Sequence, residues 1–171
     1  HPNPRVGALV LDVSGRVVAQ ASHAGPGREH AEAAALAAAG GRARGGTLVV
    51  TLEPCDHTGR TPPCTGAILA AGIARVVVGA EDPDPRVAGR GLARLRAAGL
   101  EVCCGIASAE AEALDPGYFH HRRTGRPRVT LKAALTLDGQ SAAADGTARW
   151  ITSAEARADG HRLRAAADAV M

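Results

Sequence analysis

The tightest constraint on how this 171-residue chain can fold is a set of three metal-type side chains from two separated segments. His30 stands in His30-Ala31-Glu32, while Cys55 and Cys64 flank the polar stretch 56–63 that follows Glu53-Pro54. One imidazole and two thiolates suit zinc. Three protein ligands leave the fourth tetrahedral position to water, which is how a catalytic rather than a structural site is built. Any workable fold must bring these segments together. Glu32, two residues from His30, can stand beside a metal without binding it. A carboxylate there can take a proton from water and pass it to a leaving amine.

The surrounding pattern supplies such a fold. Apolar, β-branched runs over 6–13 and 16–22 flank Ser14-Gly15 and predict a hairpin. A loop over 25–29 precedes an Ala-rich helix running to about Ala39. His30 and Glu32 fall in its first turn, where backbone N–H groups favour negative charge, and Gly40-Gly41 ends it. A short strand over 47–52 leads into Glu53-Pro54-Cys55, and Cys64 lies just before a helix over 65–71. Strand 73–80, helix 87–98, strand 100–106 and a helix from Ser108 follow, with Cys103 and Cys104 as core or strand-edge thiols. This alternation predicts an α/β fold in three layers, a mixed sheet with helices on both faces, with the ligands gathered along one sheet edge.

The cluster His120-His121-Arg122-Arg123, with Arg126, reads as a solvated linker. The boundary at 124–127 separates a first domain, 1–122, from a second, 126–171. In the second, strands are predicted over 128–135 and on to about Ala143 around a turn at Asp138-Gly139. A helix capped by Ser153 carries Arg157, Arg162 and Arg164, and 167–171 reads as the start of a buried strand. A nucleotide-binding domain needs on the order of 150 residues, so this second domain reads as truncated. A cut strand predicts poor solubility or dependence on a partner. The N-terminal residue, His1, marks the first domain as incomplete at its start.

Composition narrows the function. With 46% hydrophobic residues the chain can bury a core, and no apolar run approaches a membrane span. The net charge is only +3, and the aromatic residues are Tyr118, Phe119 and Trp150. Recognition of single-stranded nucleic acid wants stacking faces and a basic track. A small, singly phosphorylated substrate fits better, with no nucleic-acid or membrane partner. Four cysteines, two in a metal-type arrangement, point to a reducing cytoplasm. Oligomeric state stays open, a homo-oligomer included.

His-x-Glu followed by Pro-Cys and a further Cys is the signature of zinc-dependent base deaminases, although eight residues separate the cysteines here where the generic signature has two. The stretch Glu53-Pro54-Cys55-Asp56-His57-Thr58-Gly59-Arg60-Thr61-Pro62-Pro63-Cys64 resembles the bacterial bifunctional riboflavin-biosynthesis deaminase–reductase family. So do Pro2-Asn3-Pro4-Arg5-Val6-Gly7, Asp82-Pro83-Asp84-Pro85, Leu131-Lys132-Ala133-Ala134-Leu135-Thr136-Leu137-Asp138-Gly139 and Trp150-Ile151-Thr152-Ser153. The resemblance runs the whole length of the chain. It implies a cytidine-deaminase-like domain holding Zn2+ through His30, Cys55 and Cys64, with Glu32 as proton carrier. The implied reaction is deamination of the diaminopyrimidinone ribosylamino phosphate of riboflavin synthesis.

By the same resemblance Asn3, His57, Arg60, Thr61, Asp82 and Asp84 contact substrate. From the residues alone, Asn3 is equally turn chemistry, Arg60 is a candidate phosphate clamp, and Asp82-Pro83-Asp84-Pro85 is a turn and helix cap. The resemblance also implies the start of a dihydrofolate-reductase-like domain using NADPH. Ala134 and Trp150 would contact that cofactor and Arg164 the substrate; Lys132 and Asp138 match too. Asp84 stands where the family usually has Asn, and Ala148 where it commonly has Ser. Other readings are a deaminase of another base, nucleotide or tRNA, a structural zinc knuckle with His57 as fourth ligand, and a nucleotide-binding module without catalysis.

Overall fold

The computed structural model describes residues 3–171 and forms two compact units, the first ending at Arg128 and the second running from Val129 to Met171. In the first, β1 (Gly7–Leu11) and β2 (Val17–Ser22) pair antiparallel. The turn between them is held by Asp12, whose Oδ1 accepts the N–H groups of Ser14 and Arg16. β3 (Thr47–Leu52) pairs antiparallel with β1, while β4 (Arg75–Ala80) and β5 (Glu101–Cys104) extend the sheet in parallel. The order β2-β1-β3-β4-β5 is the mixed sheet expected from the sequence.

Strand alternation decides which face carries the core. Ala8 and Val10, Leu48 and Val50, and Val76 and Val78 are buried on one side. They pack against α1 (Ala31–Ala39), α2 (Cys64–Ala71) and α3 (Arg90–Ala97) through Ala35, Leu36, Ile68, Leu92 and Leu95. Two successive crossovers of the same hand between parallel strands leave α2 and α3 on one side. On the other face α4 (Ser108–Ala113) lies over β4, with Ala111 so near Gly79 that a methyl there would collide with it and with the Thr51 carbonyl. Leu9, Val49 and Val77 line an open aliphatic concavity of about 730 Å³ beside that helix. Helices therefore do lie on both faces. The observed strands are shorter than predicted by one or two residues at several ends, and Cys103 and Cys104 are half-buried edge thiols, as expected.

One element departs from the sequence reading. The stretch expected to be a solvated linker is the second half of a helix, α5 (Pro116–Thr124). Asp115 caps it, accepting the Tyr118 N–H at 3.1 Å, and Pro116 occupies its first turn. Tyr118 and Phe119 are buried against Leu52 and Ala80. This apolar pair pins the helix to the ends of β3 and β4, and the His-Arg residues ride on it.

The second unit departs further. Its helix, α6 (Ala154–Ala165), is capped by Ser153 as predicted, with Ser153 Oγ accepting the Ala156 N–H at 3.2 Å. The turn at Asp138-Gly139 is present too, closed by the Gly139 N–H on the Thr136 carbonyl. The strands expected over 128–135, to Ala143 and over 167–171 do not form: among the described residues this unit contains no strand. A strand exists through ladder bonds to a neighbour, and these segments have none. Val129, Leu131, Val170 and Met171 are accordingly exposed.

A candidate metal centre and its cleft

Three chain elements deliver the metal-type residues. His30 is the N-cap of α1, in extended conformation, and Cys64 is the first residue of α2. Cys55 follows β3 by three residues. Their ligand atoms all lie within 4.8 Å of one another. His30 Nδ1 is 3.2 Å from Cys64 Sγ and 3.6 Å from Cys55 Sγ. A tetrahedral zinc with ordinary Zn–S and Zn–N bonds would set such atoms about 3.5–3.8 Å apart, so the donor set fits the ion in both chemistry and spacing.

The three side chains share their protons through mutual contacts. Cys55 is pulled down to about 4, chiefly because the Cys64 thiol donates to it, with His30 and the Cys64 backbone N–H adding to the effect. Cys64 is pushed up by the same partnership and by burial, so it keeps the second proton. His30 is raised by its bond to Cys55. Deprotonating Cys64 as well would set two thiolates side by side, an arrangement that a divalent metal between them would stabilise.

Glu32 is buried, at 3% exposure, in the first turn of α1, and burial pushes its carboxyl up. It lines a cleft of about 610 Å³ together with His30 and Cys55. Asn3, His57, Asp82 and Asp84 line the same cleft; Arg60 and Thr61 do not. Arg60 is exposed on the 56–63 loop. Asn3 is oriented by His23: its Nδ2–H donates to His23 Nε2 at 2.8 Å, and His23 Nδ1–H donates to the Glu29 carbonyl at 3.0 Å. The same ring lies edge-on to His30, with centroids 5.4 Å apart.

The Asp82 and Asp84 wall is built with partners the sequence reading missed. Tyr118 Oη donates to both Asp82 oxygens, at 2.9 and 3.1 Å. Asp84 receives Arg86 through Nε at 3.0 Å and Nη2 at 2.7 Å, which holds its carboxyl down at about 2. Arg122 Nη1 lies 3.5 Å from the same carboxylate. The Asp84 carboxylate is thus neutralised locally, and the cleft does not carry its full negative charge.

Glu53 was also missed. Its buried carboxylate accepts four backbone N–H groups, from Asp82 at 3.3 Å, Gly89 at 2.9 Å, Gly91 at 3.0 Å and Leu92 at 3.3 Å. Burial pushes this acid up, and those bonds oppose the rise. Glu53 therefore ties the end of β3, two residues before Cys55, to the start of α3 and the loop after β4. Gly91 makes the approach possible: a Cβ there would overlap the Pro54 carbonyl oxygen. Asp56 adds a second tie, accepting Thr65 Oγ1 and Arg94 Nη1, both at 2.6 Å. The local signals were a Glu at a strand end, and Asp-Pro as N-cap and first turn of α5.

In the second unit Ala134 is half-buried, while Trp150 and Arg164 are exposed. Arg157 and Arg149 stack on Trp150, with guanidinium carbons 4.2 and 5.5 Å from the ring centroid. Arg164 Nη1 is 3.5 Å from His161 Nδ1.

Residues 1–80 match the family described as the cytidine and deoxycytidylate deaminase zinc-binding region, and residues 127–171 match the RibD C-terminal domain. Riboflavin biosynthesis protein RibD of Escherichia coli is 49% identical over 171 residues, covering 100% of this chain and 46% of that protein. Among solved structures, Acinetobacter baumannii RibD superposes with a TM-score of 0.88 at 45% identity, covering 96% of this chain and 46% of that one. The Thermotoga maritima diaminohydroxyphosphoribosylaminopyrimidine deaminase/5-amino-6-(5-phosphoribosylamino)uracil reductase gives 0.86 at 42%, covering 96% and 47%. The chain spans about half the length of the curated relatives it matches. From the ligand cluster, the sheet that assembles it and these likenesses, the chain is similar over its whole length to RibD riboflavin biosynthesis proteins, and its first unit carries the match to a deaminase zinc-binding region.

Proposed function

We propose that the first unit hydrolytically removes an amino group from the diaminopyrimidinone ribosylamino phosphate of riboflavin synthesis. The observation that carries this reading is the buried Glu32 sharing one cleft with His30 and Cys55, with Cys64 within ligand distance of both. The name of the Thermotoga maritima relative supports the substrate. His30, Cys55 and Cys64 would hold zinc, which when bound would make the attacking water more acidic. Glu32 accepts a proton from the attacking water and returns it to the departing amino group, so C(NH2)=N and water become C(=O)–NH and ammonia, the second water proton ending on the ring nitrogen. Asn3, its amide fixed by His23, holds the substrate in the cleft together with His57, Asp82 and Asp84; Arg60 and Thr61 act from the neighbouring loop.

The division proposed is a deaminase domain over 1–122 and the N-terminal part of an NADPH-dependent reductase domain over 126–171. In the whole protein Ala134 and Trp150 contact NADPH and Arg164 the substrate. Among the described residues no helix is long and apolar enough to cross a membrane. A structural zinc knuckle would need His57 as fourth ligand, but His57 is exposed and outside the three-residue cluster.

The test is ammonia release from the diaminopyrimidine phosphate by zinc-loaded wild type and Glu32→Gln at equal zinc content. Wild-type release that falls by about 10³-fold in the variant, with zinc retained, supports both substrate and proton carrier. Retained zinc without release from this substrate would move the reading to another base.

A further inference from the structure

The loop 56–63 separates the two cysteine ligands by too much chain for its own length to fix their spacing. A flexible span leaves its ends free to part, yet Cys55 and Cys64 stand within ligand distance of each other and of His30. Three hydrogen bonds close the base of the loop. The Cys64 N–H donates to Cys55 Sγ at 3.4 Å, and the Thr65 N–H donates to the Cys55 carbonyl at 3.2 Å. The third joins side chains: Thr65 Oγ1 donates to Asp56 Oδ1 at 2.6 Å. Asp56 and Thr65 are the residues directly after Cys55 and Cys64.

Any residue type could make the two backbone bonds, whereas the third depends on the two side chains chosen here. Thr65 is fully buried, so its hydroxyl is costly to leave without a partner. Asp56 is held from its other side as well, because Arg94 of α3 donates to the same oxygen at 2.6 Å in a charge-assisted bond. Pro63, the N-cap of α2, offers that helix no side-chain cap. The first turn of α2 is therefore anchored to the start of the loop, and through it to α3. Asp56 is outside the three-residue ligand cluster, and none of Asp56, Thr65 and Arg94 lines the cleft. A change at any of them reaches the reaction only through the ligands.

We infer that Asp56, Thr65 and Arg94 form a latch that holds Cys55 and Cys64 at metal-binding separation, which makes Asp56 and Thr65 positioning residues for the metal centre. The latch rests on the zinc reading of the three ligands and is independent of the substrate. Its test is the zinc affinity of the whole chain, measured by competition with a fluorescent chelator, beside denaturant titration of the metal-free form. Thr65→Val, which keeps the shape and removes the hydroxyl, is expected to weaken zinc binding by about tenfold or more, and Thr65→Ser, which keeps the hydroxyl, by less than about threefold. Asp56→Ala removes the other end of the latch, is expected to match Thr65→Val, and stands in if that variant misfolds. Arg94→Met should lose less, since Thr65 still meets Asp56. Zinc affinity within about twofold of wild type in both Thr65→Val and Asp56→Ala, with only the metal-free stability lowered, overturns the latch and leaves the centre standing. Wild type that binds no zinc overturns the centre and the latch together. Weakened zinc binding in the variants of a protein that releases no ammonia from the diaminopyrimidine phosphate would support the latch and move only the deaminase reading.

Discussion

The two units start from similar raw material and end differently. Residues 47–52 and 75–80 are rich in β-branched apolar residues, and 128–135 is a mostly apolar stretch with Val129 and Thr130 near its start. In the first unit each run finds a neighbour: β3 lies between β1 and β4, and every alternate side chain is buried beneath a helix. In the second unit the run forms no strand, and Leu131 is 91% exposed. The lesson is that β character in a sequence is an offer of pairing, realised only when another strand accepts it. A helix is less demanding. α6 forms at the predicted place because its bonds are internal and its cap is Ser153.

The widest gap expected between the units is in amide exchange. The amides of β3 and β4 should exchange at least about 10⁴-fold more slowly than free peptide, since they open only with the global core. Those over 129–135 should fall within about tenfold of free rates. Equal protection in both, measured by exchange mass spectrometry, would break the comparison by showing that the second run pairs in solution.

A substitution within the first unit sharpens it. Glu53→Ala orphans four N–H donors at the joint between β3 and α3. A loss of about 3 kcal/mol in unfolding free energy is expected, together with weaker zinc retention, because Cys55 lies two residues on. Denaturant titration with a metal-release dye reads both. Removal of Leu131, exposed in the second unit, should leave the same transition within about 0.5 kcal/mol.

The smallest effect is acid sensitivity at the cleft wall. Asp84 titrates at about 2 in the folded chain because of Arg86, against about 3.9 when unfolded. Its stabilisation is complete above pH 4 and is lost as pH falls towards 2. Since the Arg86 side chain is 75% exposed, about 1 kcal/mol is expected after solvent screening. Arg86→Met should flatten that part of the stability–pH curve; an unchanged slope would mean that the pair carries no such energy.

Much of the site was legible because its information is local. His30-x-Glu32 on a helix start and Cys55 after a strand each declare their role within a few residues, and the strand–helix alternation around them dictates which sheet edge they reach. The apolar periods of β1, β3 and β4, the glycine-terminated helices and the Ser153 cap belong to the same class. Tertiary structure alone decided the rest. Tyr118 meets Asp82 across 36 positions, Glu53 meets Leu92 across 39, and Arg122 meets Asp84 across 38. None of these pairs leaves a periodicity or a spacing to read. The His-Arg stretch looks like a solvated linker until Tyr118 and Phe119 find Leu52 and Ala80 to pack against. Likewise, whether a β-branched run becomes a strand depended on a neighbour elsewhere in the chain. Caps, ligand spacing and helix periods act between residues close in sequence, whereas burial, strand pairing and charge neutralisation act between residues that only the folded chain brings together.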